Sequence, residues 1–565
     1  MLVAVTADPS GPGGLLADLS AGGPSGGASP AGDGGRAAAA AGVGVVRVAD
    51  LAAAIAEREA AEHPRWVWAS TADLYPVLLR AGVRVARCHD LELTEALLSG
   101  HDGRWGEPRG VAAAMARLRG LPVPPDPPRH DAEPPGFAQE ALFETLARPS
   151  VEIADLFEVH AEQQRRVATT GQPGRFRLLV AAESAGALIA AEMGHVGLPW
   201  RADLHDAILR DLLGPPQPVG PPRRLAELTA EINAAFGVRG LHPDSPAEVV
   251  RAFARAGVQI PSTRRWVLQQ VDHPAVAPLL DYKELYRIWT AHGWSWCDSW
   301  VRDGRFRSEY LPGGVVSGRW AARGGGALQV PKVIRRAVVA DPGWTFVVAD
   351  AGQLEPRVLA AVSGDGRLAR AAAAGDLYAA LATDSFAGDR AKAKLALLGA
   401  MYGQTGGDAL PALAVLRRHY PTAFDYVEAA ARTGENGGLV RSWLGRTCPP
   451  ASREAFDGLD PPDEVAPQPG RSRGRFTRNF VIQATAAEWA LVMIATLRTA
   501  LEGTAAELVL FVHDEIVVHC PAGQADAVVA AVHDSAARAG RLLFGDTTVR
   551  FPLDVSVVGA YADAK

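Results

Sequence analysis

Hydrophobic and polar positions fall into two regimes along this chain. In the N-terminal part, short apolar runs alternate with amphipathic ones: 2–6, 66–68 and 83–86 read as strands, 49–61 and 72–80 as helices. Such alternation predicts an α/β domain. Within it, 9–43 is rich in Gly, Pro, Ala and Ser and predicts a flexible loop. The stretch 121–135 holds seven prolines and predicts a linker or exposed loop. From 138 to 300, Leu, Ile, Val and Ala recur three and four apart, which predicts a run of helices. Inside that run, 241–246 and 261–263 read as helix starts with capping residues. From 305 onward short strands mix with long helices.

Two of the later apolar runs carry chemistry. Residues 346–349 form a short β-rich run after the turn pair Pro342-Gly343, and the run delivers Asp350 at its C-terminal end. An Asp in that place is also common in turns and helix caps. A second run, 508–518, is interrupted by His513-Asp514-Glu515, as at the tip of a tight hairpin. Buried strands on both sides would hold carboxylates close together at a sheet edge. Adjacent like charges are costly unless a cation neutralises them. A divalent-metal site shared by Asp350 and Asp514 is therefore expected.

The length, 565 residues, suggests three or four domains. With 48% hydrophobic residues, no apolar run of membrane length and no signal-peptide pattern at the start, a soluble protein is expected. Cys88, Cys297, Cys448 and Cys520 lack paired spacing, so neither zinc nor a disulfide framework is indicated, and a reducing cytoplasm fits. A net charge of −6 excludes a protein basic all over, but charge is distributed unevenly. Residues 301–340 carry eight Lys or Arg against two acids, a local net of +6. Arg471, Arg473, Arg475 and Arg478 form a second basic cluster. Basic runs are usually solvated faces; these two flank the expected carboxylate site, which points toward nucleic acid.

A third signal is helical. Arg390, Lys394, Leu398 and Tyr402 stand four apart and project along one face. The plain alternative is an amphipathic helix with a basic start. Cations at a helix N-terminus oppose its dipole, yet two of them beside that partial positive charge make a receptor for a polyphosphate.

Together these parts resemble the family A DNA polymerases, the DNA polymerase I class with a Klenow-fragment-like core. The stretch from Asp350 through Gln353, Glu355 and Arg357 resembles the family's D-Y-S-Q-I-E-L-R motif, and Arg390 to Gly403 its R-x3-K-x3-F-x3-Y-G motif. Val512-His513-Asp514-Glu515 resembles the third motif, Ser317-Gly318-Arg319 a T-G-R, and Leu328-Gln329-Val330-Pro331 a shortened L-Q-N-I-P. Arg475, Asn479, Gln483 and Thr485-Ala486-Ala487-Glu488 resemble the R-x3-N-x3-Q-G-T-A-A-D helix. The pieces lie in order over roughly 250 residues, which is what makes the resemblance specific.

The resemblance implies a template-directed DNA polymerase of right-hand α+β fold, preceded by an α/β, ribonuclease H-like 3′–5′ exonuclease domain. The expected division is 1–175 exonuclease-like; 176–310 thumb and connecting helices; 311–360 palm, first part; 361–445 fingers; and 446–565 palm, second part. Two Mg²⁺, with Mn²⁺ as a substitute, would be held by Asp350 and Asp514, with Glu515 tuning the site. Arg390 and Lys394 would grip the triphosphate, Lys394 also protonating the leaving group. Glu355 would exclude ribonucleotides, Tyr402 would pack beside the templating base, and Gln353, Leu398 and Tyr378 would complete the nucleotide pocket. Arg319, Arg475, Asn479, Gln483, His513 and Lys283 would contact primer-template DNA. Deoxynucleoside triphosphates are the other expected partner, in a monomer at the nucleoid, with no membrane.

Departures mark the chain as unusual. Leu398 replaces the aromatic that would stack on the incoming base, Ala351 and Gly352 replace Tyr and Ser, and Tyr378 stands where the family has a phosphate-contacting His. The first strand offers only Asp8, Asp73 could match a second exonuclease motif, and Asp90-Leu91-Glu92 comes out of order. An inactive exonuclease-like domain is expected, without a 5′-nuclease domain ahead of it. The alternatives are a single-subunit RNA polymerase or reverse transcriptase, a non-catalytic primer-template-binding relative, a metal-dependent nuclease, and a polymerase that keeps its 3′–5′ exonuclease.

Overall fold

A computed structural model describes residues 1–8, 11–18, 44–127, 151–403, 409–450 and 469–564. Its N-terminal sheet comprises β1 (Leu2–Ala7), β2 (Gly14–Asp18), β3 (Val45–Val48), β4 (Arg65–Trp68) and β5 (Arg87–Asp90). The spatial order is β3-β2-β1-β4-β5; the β1–β2 and β2–β3 pairs are antiparallel and β1–β4 and β4–β5 parallel. Side chains alternate across a strand, so the central strands feed two cores. Val3, Val5, Trp66 and Trp68 pack with Ile55 and Tyr75 on one face, and Ala4 and Val67 with Leu91 and Leu156 on the other.

Two expectations fail here. Residues 14–18 are a strand inside the expected loop, paired along its whole length with β1. The Gly- and Pro-rich surroundings hid the short apolar run Leu15-Leu16-Ala17. Residues 83–86 are not a strand; β5 starts at Arg87. Val83 and Val85 alternate because both are buried in a connection. The backbone of that connection is satisfied locally: Val83 N donates to Leu78 O at 2.9 Å and Ala86 N to Glu59 Oε1 at 2.9 Å.

The N-terminal sheet is fastened to the rest through buried ionic contacts. Tyr75 Oη donates to Glu192 Oε1 at 2.6 Å, and Arg498 donates to both Glu192 oxygens and to the carbonyls of Val85 and Ala86. Burial and the Glu192 carboxylate push the Tyr75 phenol well above its usual range.

The expected helical run is present over its described part, including Pro173–Val196, Ala202–Leu213, Arg223–Phe236, Pro246–Arg255 and Val276–His292. Residues 138–150, like 128–135 of the proline-rich stretch and most of 9–43, lie outside the described residues. Ser245 caps its helix by accepting from Glu248 N at 3.4 Å. Residues 261–263 cap nothing: the short helix Arg265–Leu268 has no side-chain cap, and Thr263 instead accepts Lys283 Nζ on its carbonyl and hydroxyl.

Two small sheets follow: β6 (Leu198–Pro199), β7 (Val301–Arg302) and β8 (Arg305–Phe306), then β9 (Glu309–Leu311) with β10 (Ala321–Arg323). The central sheet holds β11 (Trp344–Ala351), β12 (Glu507–Val512), β13 (Glu515–Pro521) and β14 (Leu553–Val558), antiparallel in the order β12-β13-β11-β14. The helix Ala525–Phe544 packs on it, and the long helix Pro469–Ala500 packs on that helix. Against the expectation of no membrane-length apolar segment, Gly470–Ala500 is long and apolar enough to cross one, but 78% of its apolar window is buried inside the protein.

That helix carries Glu488, 1% exposed, which accepts from the Ser442 hydroxyl and from Leu444 N at 3.0 Å. Burial pushes its carboxyl from 4.5 up to about 7, against the Ser442 hydrogen bond and the charge of Arg446. The folded protein thus holds a proton that the unfolded chain releases between those two values, so stability falls as pH rises through the window. Urea denaturation from about pH 5 to about pH 7 should show the wild type losing roughly 2–3 kcal/mol relative to Glu488→Gln. Parallel curves for the two proteins would refute it.

Candidate active site at the sheet edge

Strand pairing decides where the carboxylates stand. In the β11–β13 ladder Asp350 lies directly opposite Glu515, and Ala351 N donates to Asp514 O at 3.0 Å. On the other side of β11, Asp350 lies opposite Asp554. His513 and Asp514 form the two-residue hairpin tip, His513 in the left-handed region at φ 60°. The expected hairpin and its proximity to the first carboxylate are both present. Glu515, 6% exposed, accepts a hydrogen bond from the Tyr561 hydroxyl, and Arg335 stands 4.0 Å from the same oxygen and over the Tyr561 ring. Burial, then the Glu515 carboxylate, raise the Tyr561 phenol far above its usual value. Among the described residues no group of three or more His, Cys, Asp or Glu side chains is placed to hold a metal. Two carboxylates at a sheet edge are a donor set for Mg²⁺, which takes one or two and fills the rest with water and phosphate.

Beyond β11 the chain turns through Gln353, in the left-handed region at φ 59°, into the helix Leu354–Val362. Pro356 falls in the first turn, where a missing N–H costs little. Glu355 is held from two sides: Arg319 Nη2 donates to Oε1 at 2.6 Å and the Tyr402 hydroxyl to Oε2. Three expected site residues, distant in sequence, thus meet at one carboxylate. Arg319 follows Gly318, whose φ is +83° and whose missing Cβ would stand 2.4 Å from Arg446 Nε. Only glycine fits there.

The expected stripe helix spans Arg390–Tyr402. Arg390 and Lys394 are exposed and Leu398 and Tyr402 half-buried, so the four-residue spacing does project one face outward. Asp389 caps it by accepting from Lys392 N at 2.9 Å, which offsets the basic start. Gly403 ends it at φ +68°. Across from it, Arg475 is exposed and Asn479 and Gln483 are half-buried, four apart on Pro469–Ala500. Burial lowers the His513 pKa, and the Arg319 charge lowers it further.

Three site residues stand differently from expectation. Tyr378 is buried at 6% exposure beneath Arg390, whose guanidinium carbon lies 5.6 Å over its ring. The amide of Gln353 is consumed internally, donating to Asp376 and accepting from Leu377 N at 2.8 Å. Lys283 is tied to Thr263, as described above, and burial lowers its pKa.

Sequence reasoning missed Asp376, Tyr561, Arg335, Asp554 and the role of Arg357. Arg357 is fully buried and donates to the carbonyls of Gly352, Ala372, Ala374, Gly375 and Arg550. The capping position of Asp376 before Leu377 was readable; its other contacts are tertiary.

The family model for DNA polymerase family A matches residues 222–562. DNA polymerase I of Chloroflexus aurantiacus is 27% identical over 328 residues, 53% of this chain and 33% of that protein. The thermostable DNA polymerase I of Thermus aquaticus is 28% identical over 312 residues, 50% of this chain and 36% of that protein. The chain thus spans about a third of the length of these curated relatives. A solved structure, the POL domain of Pol1 from M. smegmatis in complex with DNA primer-template and dNTP, shares the fold. It superposes with a TM-score of 0.71 at 17% identity, covering 100% of this chain and 95% of that one.

Removing Arg357 leaves several carbonyls without a partner in a dry interior. Arg357→Met should lower stability by about 3 kcal/mol or more in urea denaturation. Arg357→Lys should recover only part of it, because a point-like ammonium cannot reach carbonyls on several sides at once. A loss below about 1 kcal/mol for Met would show the network to be dispensable.

Proposed function

The chain belongs to DNA polymerase family A, and from that premise we propose that it is a template-directed DNA polymerase extending a primer 3′ end with deoxynucleotides. One observation carries the reading. The β11–β13 register sets Asp350 against the His-Asp-Glu hairpin, while the Arg390–Tyr402 helix reaches the same strand end through Glu355. Phosphoryl transfer leaves little covalent work to the protein, so positioning and charge stabilisation are its task.

Asp350 and Asp514 would hold two Mg²⁺, with Glu515 beside them and steadied by Tyr561. Bound there, the ions would activate the primer hydroxyl and stabilise the leaving pyrophosphate. Arg390 and Lys394 would receive the triphosphate, and Lys394 would donate the proton to the pyrophosphate. Glu355, clamped by Arg319 and Tyr402, would fill the space of a ribose 2′-hydroxyl. Arg475, Asn479, Gln483 and His513 would follow the primer-template in a sequence-tolerant way, because the minor-groove pattern is degenerate. The basic 301–340 segment would track the phosphates.

In this reading 446–565 with 311–360 form the palm, 361–445 the fingers and 176–310 the thumb with its connecting helices. The strand order β3-β2-β1-β4-β5 with its antiparallel and parallel halves supports a ribonuclease H-like first domain at 1–175. Two of its candidate carboxylates are engaged within the fold: Asp90 accepts from Thr71 N at 2.7 Å and Leu93 N at 2.8 Å, and Glu92 pairs with Arg109 at 3.0 Å. That supports a scaffold in place of an editing nuclease. The chain would act as a monomer in the cytoplasm, at the nucleoid.

The test is Mg²⁺-dependent extension of a primed template beside a single-stranded 5′-labelled oligonucleotide. Wild type should extend the primer and leave the oligonucleotide whole, and Asp514→Ala should lose extension by at least about 10³-fold. Glu355→Ala should admit ribonucleotides. Shortening of the oligonucleotide would overturn the scaffold reading, and binding without extension would overturn the catalytic one.

A further inference from the structure

Arg390 heads the stripe helix, and one carboxylate holds it. Asp376 Oδ2 accepts from Arg390 Nε at 2.8 Å. The other oxygen of Asp376 accepts from Gln353 Nε2 at 2.8 Å and from Ala379 N at 3.1 Å, capping the helix Leu377–Ser385. Gln353 Oε1 in turn accepts from Leu377 N at 2.8 Å and from Arg357 Nη2 at 3.3 Å. A continuous polar chain therefore runs from the buried Arg357, beside the end of β11, through Gln353 and Asp376 to the first residue of Arg390–Tyr402. Tyr378 supports the guanidinium from below.

We propose that Asp376 is a positioning residue that fixes the Arg390 guanidinium for the nucleotide triphosphate. The proposal rests on the polymerase reading above. The geometry favours support over competition, because the hydrogen bond from Arg390 to Asp376 runs through Nε, so the two terminal nitrogens remain to be offered to phosphate oxygens. An arginine on an exposed helix end otherwise samples many rotamers, and holding it beforehand reduces the entropy lost on binding. Burial opposes ionisation of Asp376, but the hydrogen bonds from Arg390 and Gln353 outweigh it and hold the carboxyl at about 2, so the anchor stays charged at neutral pH. The pair is 53% and 39% exposed, so solvent damps the repulsion between this carboxylate and a bound triphosphate.

Asp376→Asn separates this role from capping. Asparagine caps as well as aspartate and can still accept from Gln353 and Ala379, but it gives up the charge that holds Arg390. Single-nucleotide incorporation on a primed template should show KM for the deoxynucleotide raised about fivefold, with kcat within about twofold. The melting temperature should move by about 2 °C or less. Asp376→Asn added to Arg390→Ala should raise KM no further than Arg390→Ala alone. The Kd of primer-template-bound protein for a non-hydrolysable deoxynucleoside triphosphate, by calorimetry, is the parallel readout.

An unchanged or lowered KM in an active enzyme would overturn the positioning role alone, as would additive effects in the double variant. A falling melting temperature with reduced kcat would reduce Asp376 to a structural cap. A wild type that binds the triphosphate more tightly than Asp376→Asn but incorporates nothing would overturn the polymerase reading and leave the positioning role standing. A wild type that does neither would overturn both.

Discussion

The antiparallel pairing of β11 with β13 is the contact on which the rest of the site depends. It joins residues 165 to 177 positions apart, from Trp344 opposite Pro521 to Asp350 opposite Glu515. Loop-closure entropy grows only slowly with length, so such a pairing is affordable once its core is dense. It is dense here: Phe346, Val347, Ala349, Ile516, Val517 and Val518 are all fully buried. Consecutive residues of both strands are buried, so each face of the ladder is packed, and a one-residue slip would exchange side chains between two fitted faces and move Asp350 off Glu515. The apolar interior therefore sets the register, and the register sets the carboxylates. Function at the edge is a by-product of packing at the centre.

Arginine resolves the polar consequences of that crowding. Arg357 satisfies carbonyls on several sides, Arg319 holds Glu355, Arg498 joins Glu192 to two carbonyls, and Arg446 pairs with Glu183 beneath Gly318. A planar guanidinium offers five donors in a fixed fork, so one side chain can tie several segments together. The chain's preference for Arg over Lys, which says little as composition, becomes structural at these points.

The sequence was most legible where local pattern and tertiary role coincide. The apolar run before Asp350, the interrupted run around Asp514 and the four-residue stripe from Arg390 to Tyr402 each follow from periodicity, and each appears where that periodicity put it. Strand boundaries failed where composition or burial misled: β2 lay inside a glycine-rich stretch, and Val83 and Val85 alternate without a ladder. Contacts were illegible where a side chain is engaged within its own fold. Gln353, Lys283 and Tyr378 read as ligand contacts in one dimension, but their partners Asp376, Thr263 and Arg390 lie 23, 20 and 12 positions away. Spacing along a helix or strand carries no information about such partners.

The two halves of the site are also held by different physics. The carboxylates ride on a buried ladder that salt barely touches, whereas the Arg390–Asp376 pair is half-exposed and lies within reach of screening ions. Glu355 lies between these regimes, its side chain 12% exposed, linking Arg319 near the central sheet to Tyr402 on the stripe helix. The inner face of the stripe helix is itself buried in the core through Ala393, Ala396, Leu397, Ala400 and Met401, so screened contacts hold its outer side chains and not its backbone. The placement of the carboxylates is thus built into the sheet, and the contacts open to rearrangement are those on the outer face of the helix. Leu398 sits on that adjustable side, at the one stripe position that is apolar and half-buried. A change there leaves untouched the β11–β13 register that places the carboxylates, so under the polymerase reading proposed above the chain can depart from the family's aromatic at Leu398 and keep Asp350 and the Asp514 hairpin in place.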